Sequence, residues 1–237
     1  MKLWYFSIID LSLMDCRKDA CMVVFLSGCN MRCIYCQNYP DLLKRMEIGV
    51  EELVQMAKNN WAIGCVKFSG GEPTLQREGL LEACRRLNDE SIGVGIDTNG
   101  TAPQVIEELA KIGLFEASVD FKAPRSKYID VTGLDAYDLV IDTIEILNDY
   151  NVDYEVRTTV ALPMLTEDDL MNMANELRRL DVPLWTIQSF IPTNYTPRRL
   201  RTPETKWLEE VANRVREEYG LNVRVRALAS HVAIRGS

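Results

Sequence analysis

Three cysteines stand within eight residues, Cys29-Asn-Met-Arg-Cys33-Ile-Tyr-Cys36, in a C-x3-C-x2-C spacing that follows the apolar run 22–26. Three thiolates so spaced can wrap one face of a small metal centre, and a fourth would close it. Structural zinc sites and ordinary electron-transfer clusters take four protein ligands, commonly in C-x2-C pairs. With three, one iron of a [4Fe–4S] cluster stays open to a ligand that is not protein. An open iron fits an enzyme better than a structural staple. Three unrelated buried thiols would also be ordinary, since free Cys is among the most buried residue types. The companions of the loop argue against that reading.

Those companions are short polar constellations. Ser69-Gly70-Gly71-Glu72-Pro73 has two glycines that let backbone approach a ligand closely. Asp97-Thr98-Asn99-Gly100 offers hard oxygen donors beside a turn signal. Asp120 and Lys122, two residues apart, share one face of an extended segment. Arg157 stands among β-branched residues, where a guanidinium is costly to bury without an anion.

Elements that would position these residues can be read from the apolar pattern. Strands are expected over 3–9, 22–26, 65–69, 92–97, 116–121, 154–161 and 184–190, with a last one at 222–227. Helices are expected over 50–61, 79–88, 103–112 and 137–149. Two more follow, one opened by Thr166 with Asp169 in a near capping box, the other by Thr202-Pro203. The helix at 50–61 would turn Leu53, Met56, Ala57 and Trp61 inward. Regular strand–helix alternation implies parallel strands with right-handed crossovers, in one α/β domain spanning 1–237. In such folds functional side chains collect at the C-terminal strand ends, where all these constellations fall.

The cysteine loop resembles the signature of the radical S-adenosylmethionine (SAM) superfamily, in which an aromatic residue, here Tyr35, precedes the third Cys. That resemblance implies a partial (β/α)6 TIM-type barrel, which agrees with six alternating strands. It further implies that Cys29, Cys33 and Cys36 hold a [4Fe–4S] cluster whose open iron takes SAM, and that Ser69, Gly70, Gly71 and Glu72 form the motif that holds the SAM amino group. Asp97-Thr98, Asp120-Phe121-Lys122 and Arg157 resemble a narrower group, the activating enzymes of glycyl radical enzymes, most of all the anaerobic ribonucleoside-triphosphate reductase branch. There the Asp-x-Lys contacts SAM, the Arg lies near the SAM carboxylate, and Asp97, Thr98 and Asp120 would ligate a monovalent cation. Gln37 departs from the His common in that position. The implied partners are a glycyl radical enzyme and an electron donor such as flavodoxin or ferredoxin. A radical SAM enzyme acting on a small molecule or nucleoside would share the cluster and SAM residues without needing Asp120-x-Lys122.

The totals fit such an enzyme. A hydrophobic fraction of 47% supports a sizeable core, and no apolar run approaches a membrane span. With no signal-peptide layout and an odd seven Cys, three of them in one loop, a reducing and therefore cytoplasmic setting is expected. A net charge of −8 argues against sequence-independent nucleic-acid binding. Cys65 and Cys84 are expected to pack in the core, while Cys16 and Cys21, near the cluster loop in sequence, could make only a partial site. His231 is expected to be a surface or packing residue. The basic run 197–203 is either a solvated loop or a contact for an acidic partner.

Overall fold

A computed structural model describes residues 1–227; His231 lies outside the described residues. The strands are β1 (Lys2–Ser12), β2 (Cys21–Leu26), β3 (Met46–Gly49), β4 (Cys65–Gly70), β5 (Gly93–Thr98), β6 (Glu116–Asp120), β7 (Tyr154–Val160), β8 (Trp185–Ser189) and β9 (Val223–Arg226). The helices are α1 (Val50–Asn59), α2 (Arg77–Asp89), α3 (Pro103–Ile112), α4 (Tyr128–Thr132), α5 (Tyr137–Asp149), α6 (Glu167–Arg179) and α7 (Thr205–Tyr219). Among the described residues, the strands form one sheet in the order β3-β1-β2-β4-β5-β6-β7-β8-β9. From β2 to β9 every neighbouring pair is parallel: the six alternating strands are joined by the last strand expected at 222–227, which is β9 beside β8. β1 runs antiparallel to both β2 and β3 and forms the other flank.

Helices cover the outer face with their apolar stripes. Leu80, Ala83, Cys84 and Leu87 of α2 are buried, as are Val140, Ile144 and Leu147 of α5. The N-terminus of α6 is fixed locally: the Thr166 hydroxyl accepts from the Asp169 N–H and the Asp169 carboxylate accepts from the Thr166 N–H, a reciprocal capping box. Among the described residues, no helix is long and apolar enough to cross a membrane.

The inner face is polar, and its contacts reveal curvature. Lys67 of β4 reaches Glu116 of β6 at 2.8 Å across Gly95. Arg157 of β7 reaches Asp97 of β5 at 3.0 Å over β6, and Arg224 of β9 reaches Glu155 of β7 at 2.7 Å over β8. Strands two apart in a flat sheet stand about 9.6 Å from each other, so this repeated convergence belongs to the concave wall of a partial barrel.

One expectation fails at α1. The helix ends at Asn59, and Trp61, read as inward, is 94% exposed. Continuing the helical register past the true end turned a loop residue into a false core position.

Candidate active site at the open end of the barrel

The cysteine loop leaves β2 at its C-terminal end and is fastened on two sides. Gly71 N–H donates to Leu26 O, and Glu72 N–H donates to Gly28 O, both at 2.8 Å, which stitches the end of β4 to the end of β2. No side chain fits at that seam: a Cβ on Gly71 would lie 1.7 Å from Gly28 O. On the other side, Arg32 and Ile34 N–H groups donate to Thr132 and Val131 at 2.8 and 3.0 Å, pinning the loop to the end of α4. α4 is short and was not expected from the sequence.

Cys29, Cys33 and Cys36 are half-buried and line two adjoining cavities, of about 190 and 530 Å³. The smaller also takes Tyr35, Gly70, Gly71, Asp120 and Lys122 from the expected set. Burial pushes Cys29 up to about 11 and raises Cys33 as well. Thiols so raised become ligands when a metal displaces their protons. Among the described residues no three His, Cys, Asp or Glu side chains close to single-ion distance. Three thiols lining the same two cavities, with no fourth cysteine among the lining residues, are the donor set a [4Fe–4S] cluster with one open iron would take.

Lys122 is buried beside these thiols and bonds Asp120 at 2.7 Å. Burial alone would lower its pKa, but Asp120, Cys33 and Tyr35 outweigh it and hold the ammonium well above its ordinary value. A positive charge thus sits at the cavity wall, where an anionic ligand group would meet it.

The structure assigns different surroundings to the remaining expected residues. Glu72 is fully buried and accepts from the Thr74 N–H and hydroxyl, the Thr98 hydroxyl and the Asn99 N–H. Burial pushes its carboxyl up while those four donors oppose it. It braces the ends of β4 and β5 rather than lining the cavity. Ser69 donates to Asp97 at 2.9 Å. Asp97 also meets Lys67 at 3.1 Å and Arg157 at 3.0 Å, inside the barrel. Of the residues expected to ligate a cation, Thr98 donates to Glu72, Asp97 meets Arg157 and Asp120 meets Lys122. Arg157 is engaged by Glu155 at 2.7 Å and by Asp97.

Several lining residues were not singled out from the sequence. Asn38 donates to Gly70 O at 2.7 Å, and Asn99 to the Asn30 side chain at 2.8 Å, tying the cysteine loop to β4 and β5. Thr159 and Gln188 enter the cavity from β7 and β8 and bond each other at 2.7 Å. Their signal was only position, two residues beyond Arg157 on β7 and one residue before the end of β8. In the basic run 197–203, Arg198 and Arg199 are exposed, Leu200 is buried, and Arg201 pairs its backbone with Leu162.

Residues 23–177 match the profile of the Radical SAM superfamily. A protein of Methanocaldococcus jannaschii, provisionally named a glycyl-radical enzyme activating enzyme, is 34% identical over 96% of this chain and 98% of its own length. Another from Pyrococcus abyssi, provisionally named a GTP 3′,8-cyclase, is 32% identical over 49% of this chain and 39% of its own length. A radical SAM methyltransferase from Sphaerobacter thermophilus superposes with a TM-score of 0.71 at 18% identity, covering 92% of this chain and 68% of that one. At that identity the likeness is one of fold.

Proposed function

The chain belongs to the radical SAM superfamily, and we propose that it is an activase that makes a glycyl radical in a partner enzyme, with an anaerobic ribonucleotide reductase as the favoured partner. The observation that carries this reading is the likeness along nearly its whole length to a relative named for that activity. Cys29, Cys33 and Cys36 would hold a [4Fe–4S] cluster, which when bound supplies the electron for reductive cleavage of SAM. An electron donor such as flavodoxin or ferredoxin would recharge it.

The chain's own residues position and exclude. Lys122, held charged by Asp120, would meet the SAM carboxylate. The Gly70-Gly71 backbone, with no side chain in the way, permits close approach of a ligand. Tyr35 and Met31 are buried in the cavity wall and keep water from the reacting groups. The mouth beyond is rimmed by exposed Tyr39, Leu43 and Tyr195, a surface on which a partner's loop could lie.

A second reading, chemistry on a nucleotide, is favoured by the cyclase likeness, but that covers about half of this chain. Product counting separates the two. Reduced protein with SAM and partner should form about one 5′-deoxyadenosine per radical installed, the stoichiometry of a single hydrogen abstraction. Many turnovers on free GTP, with no protein substrate present, would favour the second reading.

A further inference from the structure

Outside the cluster loop, three of the four remaining cysteines meet at the far end of the barrel. Cys16 lies between β1 and β2, Cys21 is the first residue of β2, and Cys65 is the first residue of β4. All three are buried, and with Val23 they form a small core of their own. Cys21 and Cys65 are direct partners in the parallel register. The length of β2 sets them about 16 Å from the cluster loop, at ~3.3 Å per strand residue. The expectation that Cys16 and Cys21 lie near that loop is therefore overturned, while Cys65 packs in the core as expected.

The Cys16 and Cys65 sulfurs are 3.1 Å apart. Both neighbours of Cys16 are pinned to the barrel interior: Lys67 donates to Asp15 O at 2.8 Å, and the Arg17 N–H donates to Glu116 at 3.0 Å. The loop is thus held with its thiol against β4, and a bond between the sulfurs needs an approach of about 1 Å. Of the three thiols, Cys16 alone lines a cavity of about 310 Å³ whose wall carries Arg17, Arg157, Arg224 and Arg226 against Glu155. Arg157 and Arg224 are paired to Glu155, whereas Arg226 has no ion-pair partner among the described residues. Arg17 pairs with Asp153 through one nitrogen, while its buried Nε has no hydrogen-bond partner. With four arginines to one carboxylate, the cavity wall carries a net positive charge that favours an anion.

We propose that Cys16 and Cys65 are a reversible dithiol–disulfide couple, oxidised by a small anionic disulfide admitted through this arginine-lined cavity. A hydrogen bond with Cys21 lowers the pKa of the Cys16 thiol, but the one with Cys65, together with burial, pushes it well above its ordinary range. The thiol therefore gives its proton to water in the cavity as it attacks one sulfur of the reagent, whose first half leaves as a thiol. Cys65, deprotonated, then attacks Cys16 in the mixed disulfide and releases the second half. Two protein thiols lose two electrons and two protons, and the reagent is reduced to two thiols. The resulting bond fastens the loop 13–20 to β4.

The test uses the reconstituted protein under anaerobic conditions, equilibrated with oxidised and reduced glutathione in varied ratio, then acid-quenched, alkylated and digested with trypsin. The expected product links peptide 3–17, which contains Cys16, to peptide 59–67, which contains Cys65, at two hydrogens below their summed mass. Cys84→Ser should leave the link intact, and Cys16→Ser should remove it. Because the wild-type digest is itself decisive, a variant that fails to fold does not blunt the test. A link between Cys21 and either partner, or none at any ratio, would overturn the couple. Arg226→Gln should slow oxidation by glutathione severalfold while leaving an uncharged disulfide such as hydroxyethyl disulfide unaffected. Equal slowing of both would overturn the anionic route.

Discussion

Inside the barrel, Lys67 meets Glu116 and Asp97, Arg157 meets Asp97 and Glu155, and Arg224 meets Glu155. Three cations there face three carboxylates, and each is also hydrogen-bonded by neighbouring strands. At the open end, Lys122 has a single carboxylate partner that is itself partly exposed, and three thiols stand beside it without one another as partners. The interior charges are satisfied within the chain and hold the curved sheet together. At the mouth, Lys122 is matched only by the partly exposed Asp120. Sharing one fold, the two regions differ in whether the protein itself completes the polar groups it buries.

That contrast is broken most completely at the cysteines. Cys29→Ala, Cys33→Ala and Cys36→Ala should each abolish the cluster, which iron and sulfide analysis of anaerobically reconstituted protein reads as about four of each in the wild type and near none in the variant. The same change at Cys16, Cys21, Cys65 or Cys84 should leave the iron content largely unchanged. Loss of iron in Cys16→Ala or Cys21→Ala would erase the distinction between the two ends.

Charge removal should show the opposite polarity. Lys67→Met strands Glu116 and Asp97 in a buried site and should cost about 3–5 kcal/mol in denaturant unfolding of the metal-free protein. Lys122→Met leaves behind an Asp120 that water can reach, and should cost about 1 kcal/mol or less. Equal losses would mean that the mouth is as self-satisfied as the interior.

Acid should act on the interior first. Burial would raise Asp97 and Glu155, but Arg157 outweighs it, with Lys67 at Asp97 and Thr186 at Glu155 adding to the effect, and both carboxyls are held at about 2. Carboxyls so depressed contribute their stability in full above their unfolded pKa values, near 4, and lose it as pH falls towards 2. Unfolding midpoints should drop across that window in the wild type, and less steeply in Arg157→Met. A flat profile there would show that these pairs do not contribute.

The same division explains what could be read in the chain. Periodicity placed α3 and α5 at their observed bounds, and the strand ends gathered Cys29, Cys33, Cys36, Gly70, Gly71, Asp120 and Lys122 about one cavity. Both signals are local. The pairing of Arg157 with Asp97 was not legible, because a sequence shows that a charge stands on an inner face but not which residue two strands away meets it. Glu72 is similar: its four donors come from its own turn and from β5. β3 and α4, four and five residues long, were missed because neither is long enough to show a period. Cys16 and Cys21 looked close to the cluster loop by residue count, yet a strand carries the chain away from its starting point.

The proposed activity can be tested most directly by electron paramagnetic resonance of the reduced protein with SAM and the purified reductase. A glycine-centred radical on the partner should appear as a doublet, split by its one α-hydrogen, and collapse towards a singlet when the partner carries α-deuterated glycine. Lys122→Ala should slow its appearance with the cluster intact. A partner that stays silent while the protein consumes SAM on a free nucleotide would contradict the account.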